Sequence, residues 1–313
     1  MLEQAARRGL SLGLTGIGYD GEERDTVTLL PKPRIRVPAG SLVTTSESCL
    51  EGTDAGWTDL RRTGYHTALG DVVVVRVTSP GLLVIAGPNK THELEQVRQA
   101  LDGEGLELLM VDGSLNRIAP MAVVDRLVFS TGAARSIDPA AISGEMEAIE
   151  SVFSIPRADA AGEGEREQWP VITAGTRTAA ASAIASATTG PIMWKGLVAL
   201  DVFSEIAAVT GGRQGKIVFD DPLKLLLAGD IRRVAGVVAA ARQAGCRLSC
   251  LRSPRLAAVT SNPFYPAYDG TVYSGGTIDP AGLQNALRST LRTPVVDVVR
   301  DGGGALFAAA WDA

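Results

Sequence analysis

Four apolar residues run into an acid at Leu108-Leu-Met-Val-Asp112-Gly113. That is the pattern of a buried strand whose carboxylate emerges at its C-terminal end, the edge where α/β sheets bind ligands. An Asp so placed can hold Mg²⁺ directly or through water; it can equally cap the turn that follows. A second acidic group, Asp20, Glu22, Glu23 and Asp25, follows the strand read at Leu12 to Ile17. It offers further oxygen ligands at a neighbouring strand end, or else it is a loop kept in solvent by its charge. Asn116 and Arg117, just beyond Asp112, are placed to reach a phosphate or carboxylate. The candidate metal ligands are therefore Asp112 and Asp20, and the candidate cofactor-binding residues are Asp20, Asn116 and Arg117. Lys32, Arg34 and Arg36, with Arg62 further on, supply cations for an anion or solvate an edge strand.

Other chemistries are excluded by what the chain lacks. Two histidines, His66 and His92, rule out a histidine-rich metal site and leave no basis for a Ser-His-Asp triad. Cys49, Cys246 and Cys250 are an odd set without framework spacing. Cys246 and Cys250, four apart on a strand, share one face and read as a buried reduced pair. A phosphate loop needs G-x-x-x-x-G-K-[ST] after a strand. Gly211-Gly-Arg-Gln-Gly215-Lys216-Ile217 has the wrong spacing, lacks the hydroxyl and precedes a strand. Gly13 to Gly18 is followed by no helix, so it is not a dinucleotide fingerprint.

The elements that must position these residues follow an α/β rhythm. Leu2, Ala5, Ala6 and Leu10 share one face of a short helix closed by Gly9. A strand over 12–17 follows, then an extended stretch at 31–37, a strand at 41–45, a helical turn at 47–50 and a strand at 57–63. The β-branched run 71–77 and the run 82–86 are expected to pair as an antiparallel hairpin around Ser79-Pro-Gly81. Leu94, Val97, Arg98 and Leu101 mark a helix over 89–102, capped by Asn89 or Thr91. Strands at 106–111 and 126–130, with a turn near 119–124 between them, and a helix at 145–153 complete a first lobe. Residues 157–168 carry two glycines and four acids without apolar periodicity, the expected boundary. Beyond it come helices at 194–209, 230–244 and 280–291, and strands at 216–219, 246–251, 256–260 and 294–299. The predicted division is 1–156, a linker at 157–169, and 170–313. A helix at the very start implies an earlier strand for it to pack on.

At 313 residues the chain can bury a large core. Its 45% hydrophobic and 21% charged residues describe a globular protein. A net charge of −5 argues against nonspecific nucleic-acid binding. No apolar run reaches the ~18 residues needed to cross a bilayer, and Arg7 and Arg8 interrupt any leader-like turn. No membrane association is expected, and the cytoplasm is the expected compartment.

Five phrases together resemble one family: Leu12 to Glu23, Pro31 to Gly40, Val111 to Arg117, Phe129 to Ala134 and Ala258 to Pro263. They look like the smaller subunit of the lysine 5,6-aminomutase reactivases, which are similar to P-loop nucleotide-binding proteins. The resemblance implies an α/β fold with a mostly parallel sheet, a P-loop NTPase-like N-terminal lobe and a second α/β lobe. It implies Mg²⁺ and ATP or another nucleotide as cofactors. The implied partners are a MutS-like ATPase subunit and an adenosylcobalamin-dependent lysine or ornithine aminomutase, whose damaged cobalamin is exchanged. Family members begin with a strand and a Gly-Lys-Thr/Ser loop before the first helix. The expectation is that this piece is encoded upstream of Met1, and that nucleotide binds only with it or with a partner subunit. Two other readings fit the same sheet edge: a nucleotide-dependent small-molecule ligase and a non-catalytic scaffold.

Overall fold

The computed structural model describes residues 1–313 apart from 22, 26, 33, 89, 114–123, 159–165, 174–175, 187–189, 213 and 313. In the first third, α1 (Leu2–Arg7) leads to β1 (Leu12–Gly16), β2 (Gly18–Asp20), β3 (Arg36–Val37) and β4 (Leu42–Ser46). A 3₁₀ turn, Glu47–Leu50, precedes β5 (Gly56–Thr67), β6 (Gly70–Ser79), β7 (Gly81–Leu82) and β8 (Ile85–Gly87). Helix α2 (Thr91–Asp102) and β9 (Leu108–Asp112) follow. The remainder runs β10 (Arg126–Gly132), α3 (Pro139–Phe153), β11 (Val171–Ile172), α4 (Arg177–Ser186), β12 (Ile192–Trp194) and α5 (Leu200–Gly212). Then come β13 (Lys216–Phe219), α6 (Leu223–Leu226), α7 (Ile231–Gln243), β14 (Arg247–Cys250) and β15 (Arg255–Asn262). The chain closes with β16 (Phe264–Tyr268), β17 (Tyr273–Thr277), α8 (Pro280–Thr290), β18 (Val295–Val296) and α9 (Val298–Phe307), which runs into a π-type turn, Ala308–Asp312.

The architecture is α/β with sheets of mostly parallel strands. The first sheet has the order β5-β6-β4-β1-β9, with β1 parallel to both β4 and β9. Its residues alternate between two cores. Leu14 packs with Val37, Val43, Val73 and Ile85, whereas Leu42, Val74, Val97 and Leu101 form the cluster beneath α2. The second sheet is all parallel, β11-β12-β13-β14. Trp194, Phe203 and Phe219 meet at its centre, with ring centroids 5.6–6.1 Å apart. A third parallel sheet, β10-β15-β18, packs on α3 and α8 through Met146, Ile149, Val259 and Leu283.

Several expectations are corrected. Residues 71–77 pair with 56–67 and with β4, not with 82–86; the latter run splits into β7, which pairs with β3, and β8, which pairs with β2. Trp194 ends a strand rather than opening a helix, because Ile192 to Trp194 are buried in the sheet. The last strand is cut to Val295–Val296, since Asp297 caps α9 by accepting from the Val299 and Arg300 amides. The lobe boundary also moves. β10 and α3, placed before the linker, build their sheet and core with β15, β18 and α8 beyond it. The ends of the linker are tied in, with Arg157 bridging to Cys250 and Trp169 buried; 159–165 lie outside the described residues. The N-cap of α2 is Lys90, without a side-chain cap; Asn89 lies outside the described residues. So does most of the turn expected near 119–124.

Cys246 and Cys250 are free and buried as expected, and so is Cys49. Burial pushes the Cys246 thiol up to about 11 and the Cys250 thiol higher still. Native protein at pH 8 is therefore expected to ignore Ellman's reagent, with the thiols appearing only on denaturation. Prompt reaction of the native protein would contradict that packing.

Candidate functional site

Parallel pairing of β1 with β9 puts Gly16 opposite Asp112, and the Ile17 amide donates to the Asp112 carbonyl at 2.7 Å. Both strands therefore end together, and Asp112 stands at the C-terminal edge as its sequence position implies, but β9 is a half-buried strand at the sheet's edge and not the buried strand expected. Gly18, at φ +80°, turns the chain into β2, where it pairs with β8: Gly18 lies opposite Gly87 and Asp20 opposite Ile85. This crossing needs Gly87, because a Cβ there would sit 1.9 Å from the Gly16 carbonyl oxygen. The short antiparallel pair carries Asp20 back over the end of β9.

The result is an open cavity of about 170 Å³ lined by Tyr19, Asp20, Lys32, Asp112 and the Gly16–Gly18 and Gly113 backbone. The Asp20 and Asp112 carboxyls are hydrogen-bonded to each other. Asp20 Oδ1 also accepts from Lys32 Nζ at 2.7 Å and from the Gly21 amide at 2.8 Å. Burial, then the hydrogen bond and the charge of Asp20, push the Asp112 carboxyl up to about 6. Burial works against the Asp20 charge too, but Lys32, the Gly21 amide and Asp112 outweigh it and hold that carboxyl below its ordinary value. Below about pH 6 the pair therefore keeps one proton, with Asp112 as its holder, and above it both carboxyls are ionised.

The structure brings Asp20 and Asp112 together. Asn116 and Arg117 lie outside the described residues, as does Glu22. Asp25 does not join the site, because its carboxylate caps the turn at Val27 and Thr28. Nor does Arg62, which pairs with Glu47 and Asp71 on the far side of the sheet. Lys32 enters instead. It stood in the sequence only as one of several cations; what singles it out is the antiparallel bridge of Arg24 with Pro31, which turns the chain back on itself, and the Lys32 amide donating to the Glu23 carbonyl.

The donor set suits a hard cation. Among the described residues no group of three or more His, Cys, Asp or Glu is arranged around a metal position. Two carboxylates with room for water and a ligand phosphate match what Mg²⁺ accepts, and among the described lining residues there is no His or Cys of the kind zinc favours. The second sheet carries a comparable acid pair at the end of β13, where Asp220 is held by Lys224 and the buried Asp221 accepts from the Leu223 amide. No helix among the described residues is long and apolar enough to cross a membrane. Comparison with protein-family models, curated proteins and solved structures gave no match to the chain.

Proposed function

We propose that this chain is the smaller subunit of a nucleotide-dependent reactivase, acting in the cytoplasm on an adenosylcobalamin-dependent lysine 5,6-aminomutase or ornithine aminomutase. In this reading the first sheet is the P-loop NTPase-like lobe, and its partner is a MutS-like ATPase subunit. One observation carries it: Asp112 ends a parallel strand beside Asp20 and Lys32 in a shared cavity, the arrangement that holds a metal–phosphate ligand at a sheet edge.

Mg²⁺, when bound, supplies charge neutralisation for a nucleotide's phosphates. The chain's own contribution is to hold and orient. Asp112 and Asp20 supply oxygens on two adjacent elements, and the Gly16–Gly18 turn fixes their spacing. Coupling follows if the partner complex has two conformations with different nucleotide affinity, for then binding shifts the population towards the one that releases corrinoid. The net charge of −5 gives no basis for DNA binding, so the MutS-like partner would be recognised as protein.

The test is nucleotide hydrolysis in three mixtures: the chain alone, the chain with the MutS-like ATPase, and both with an aminomutase loaded with hydroxocobalamin. The expected result is hydrolysis above the ATPase's own rate, with recovery of mutase activity, in the complete mixture only. Turnover by the chain alone would replace this reading with the ligase. No stimulation in the complete mixture would leave a scaffold.

A further inference from the structure

Lys32 is the cation that lines the cavity among its described residues, and it is already committed. Its ammonium sits 2.7 Å from Asp20 Oδ1, with the side chain 30% exposed. Its charge is also felt at Asp112 and Asp25. Lys32 therefore stands where a divalent ion held by Asp20 and Asp112 would have to approach. Two cations on one carboxylate oxygen repel steeply at such range. Loading the carboxylates must release the ammonium from Oδ1, and its flexible four-carbon stem allows it to swing.

We propose that Lys32 exchanges partners, from the Asp20 carboxylate to a ligand phosphate, when a divalent cation occupies Asp20 and Asp112. This rests on the metal–phosphate reading of the site given above. Before loading, the ammonium and Asp20 satisfy one another and the cavity presents carboxylate oxygen, which repels phosphate. After loading, a divalent ion and a freed ammonium face the same cavity, and an anion is the species that fits between them. Lysine serves phosphate as a point charge and needs no fixed plane, unlike arginine. Cation and phosphate binding are then thermodynamically linked: each raises the affinity for the other by the same factor.

The experiment measures binding, with no dependence on turnover. Affinity for methylenediphosphonate, a pyrophosphate analogue that needs no nucleoside site, is read by calorimetry with and without Mg²⁺, and Mg²⁺ alone is titrated in the same way. Wild type, Lys32→Met and Lys32→Arg are compared, with thermal melts to show that each is folded. In wild type, Mg²⁺ should tighten the analogue by about tenfold or more, the scale of one charge-assisted hydrogen bond. Lys32→Met should bind Mg²⁺ alone as well as wild type or better, because a competing cation is gone. Its affinity for the analogue in Mg²⁺ should fall to near the Mg²⁺-free level, and Lys32→Arg should recover part of the loss. Unchanged analogue affinity in Lys32→Met would overturn the partner exchange and leave the metal site standing. So would weaker binding of Mg²⁺ alone in that variant. Failure of wild type to bind Mg²⁺ at all would overturn both.

Discussion

Gly87→Ala is expected to destabilise the protein by about 1–3 kcal/mol, the usual cost of forcing a carbon into a filled space. The added Cβ would lie 1.9 Å from the Gly16 carbonyl oxygen and 2.9 Å from its carbonyl carbon. Both are backbone, so no side chain can swing aside. Gly87 itself has no positive φ, and the effect is therefore steric rather than conformational. Relief requires β8 to part from β1, and β8 is what holds β2, with Asp20, over the end of β9. The variant should lose the proposed cation site along with stability. Gly103→Ala is the control: it meets nothing within 4 Å and keeps a helical φ, so it should be neutral. Denaturant unfolding and a Mg²⁺ titration of both variants check this. Equal stability of Gly87→Ala and wild type would mean that β8 does not press on β1.

Asp112→Asn should have the opposite sign. The folded-state value of Asp112 is raised from 3.8 to about 6, so the folded chain holds its proton where the unfolded chain has lost it. Stability from this group is fully present below about pH 4, falls as pH rises towards 6, and stays low above that. A two-unit shift corresponds to about 3 kcal/mol, which solvent screening of this partly open group cuts to roughly 1–2 kcal/mol. Asn keeps the volume and donates to Asp20 from its amide without carrying charge. Asp112→Asn should therefore be more stable than wild type at pH 8 by about 1–2 kcal/mol, with the gap closing near pH 4. Added Mg²⁺ should raise the melting temperature of wild type at pH 8 and leave the variant unmoved. Such a balance, stability given up for a charged site, is common where function demands it. Lower stability of the variant at both pH values would show that Asp112 is a structural cap.

Part of this site was legible because the signals were local. An apolar strand ending in Asp needs only its own residues to be read, and so does the acidic loop after β1. What a strand pairs with is not written in its own residues. Val72 to Val77 and Leu82 to Ala86 are both β-branched or aliphatic, and adjacency suggested a hairpin. The register instead joins 70–79 to 56–67 through the turn at Ala68-Leu69, and sends Ile85 to Asp20. The β5–β6 pairing takes Arg62 to the other edge of the sheet, whereas Lys32 returns to Asp20 through the local bridge of Arg24 with Pro31, and nothing in the sequence separates the two cations. The lobe division failed for the same reason: β10 and β15 are more than a hundred residues apart, and their parallel register leaves no local mark. Asp297 did leave one. It is an acid two residues before a helical amide run, and it stops β18 where an apolar reading carried the strand on.

The proposed function requires Asp112 and Asp20 together to hold a divalent cation at the end of β1 and β9. Calorimetric titration of wild type and Asp112→Asn with Mg²⁺ at pH 8 and pH 6 tests it most directly. Wild type should bind at pH 8 with no proton released, and at pH 6 with release of about half a proton per ion, because Asp112 there is half protonated. Asp112→Asn should bind at least about tenfold more weakly, as expected for the loss of a charged ligand, and should release no proton at either pH. Equal affinity in the two proteins, or binding without proton release by wild type at pH 6, would show that this carboxyl pair holds no cation.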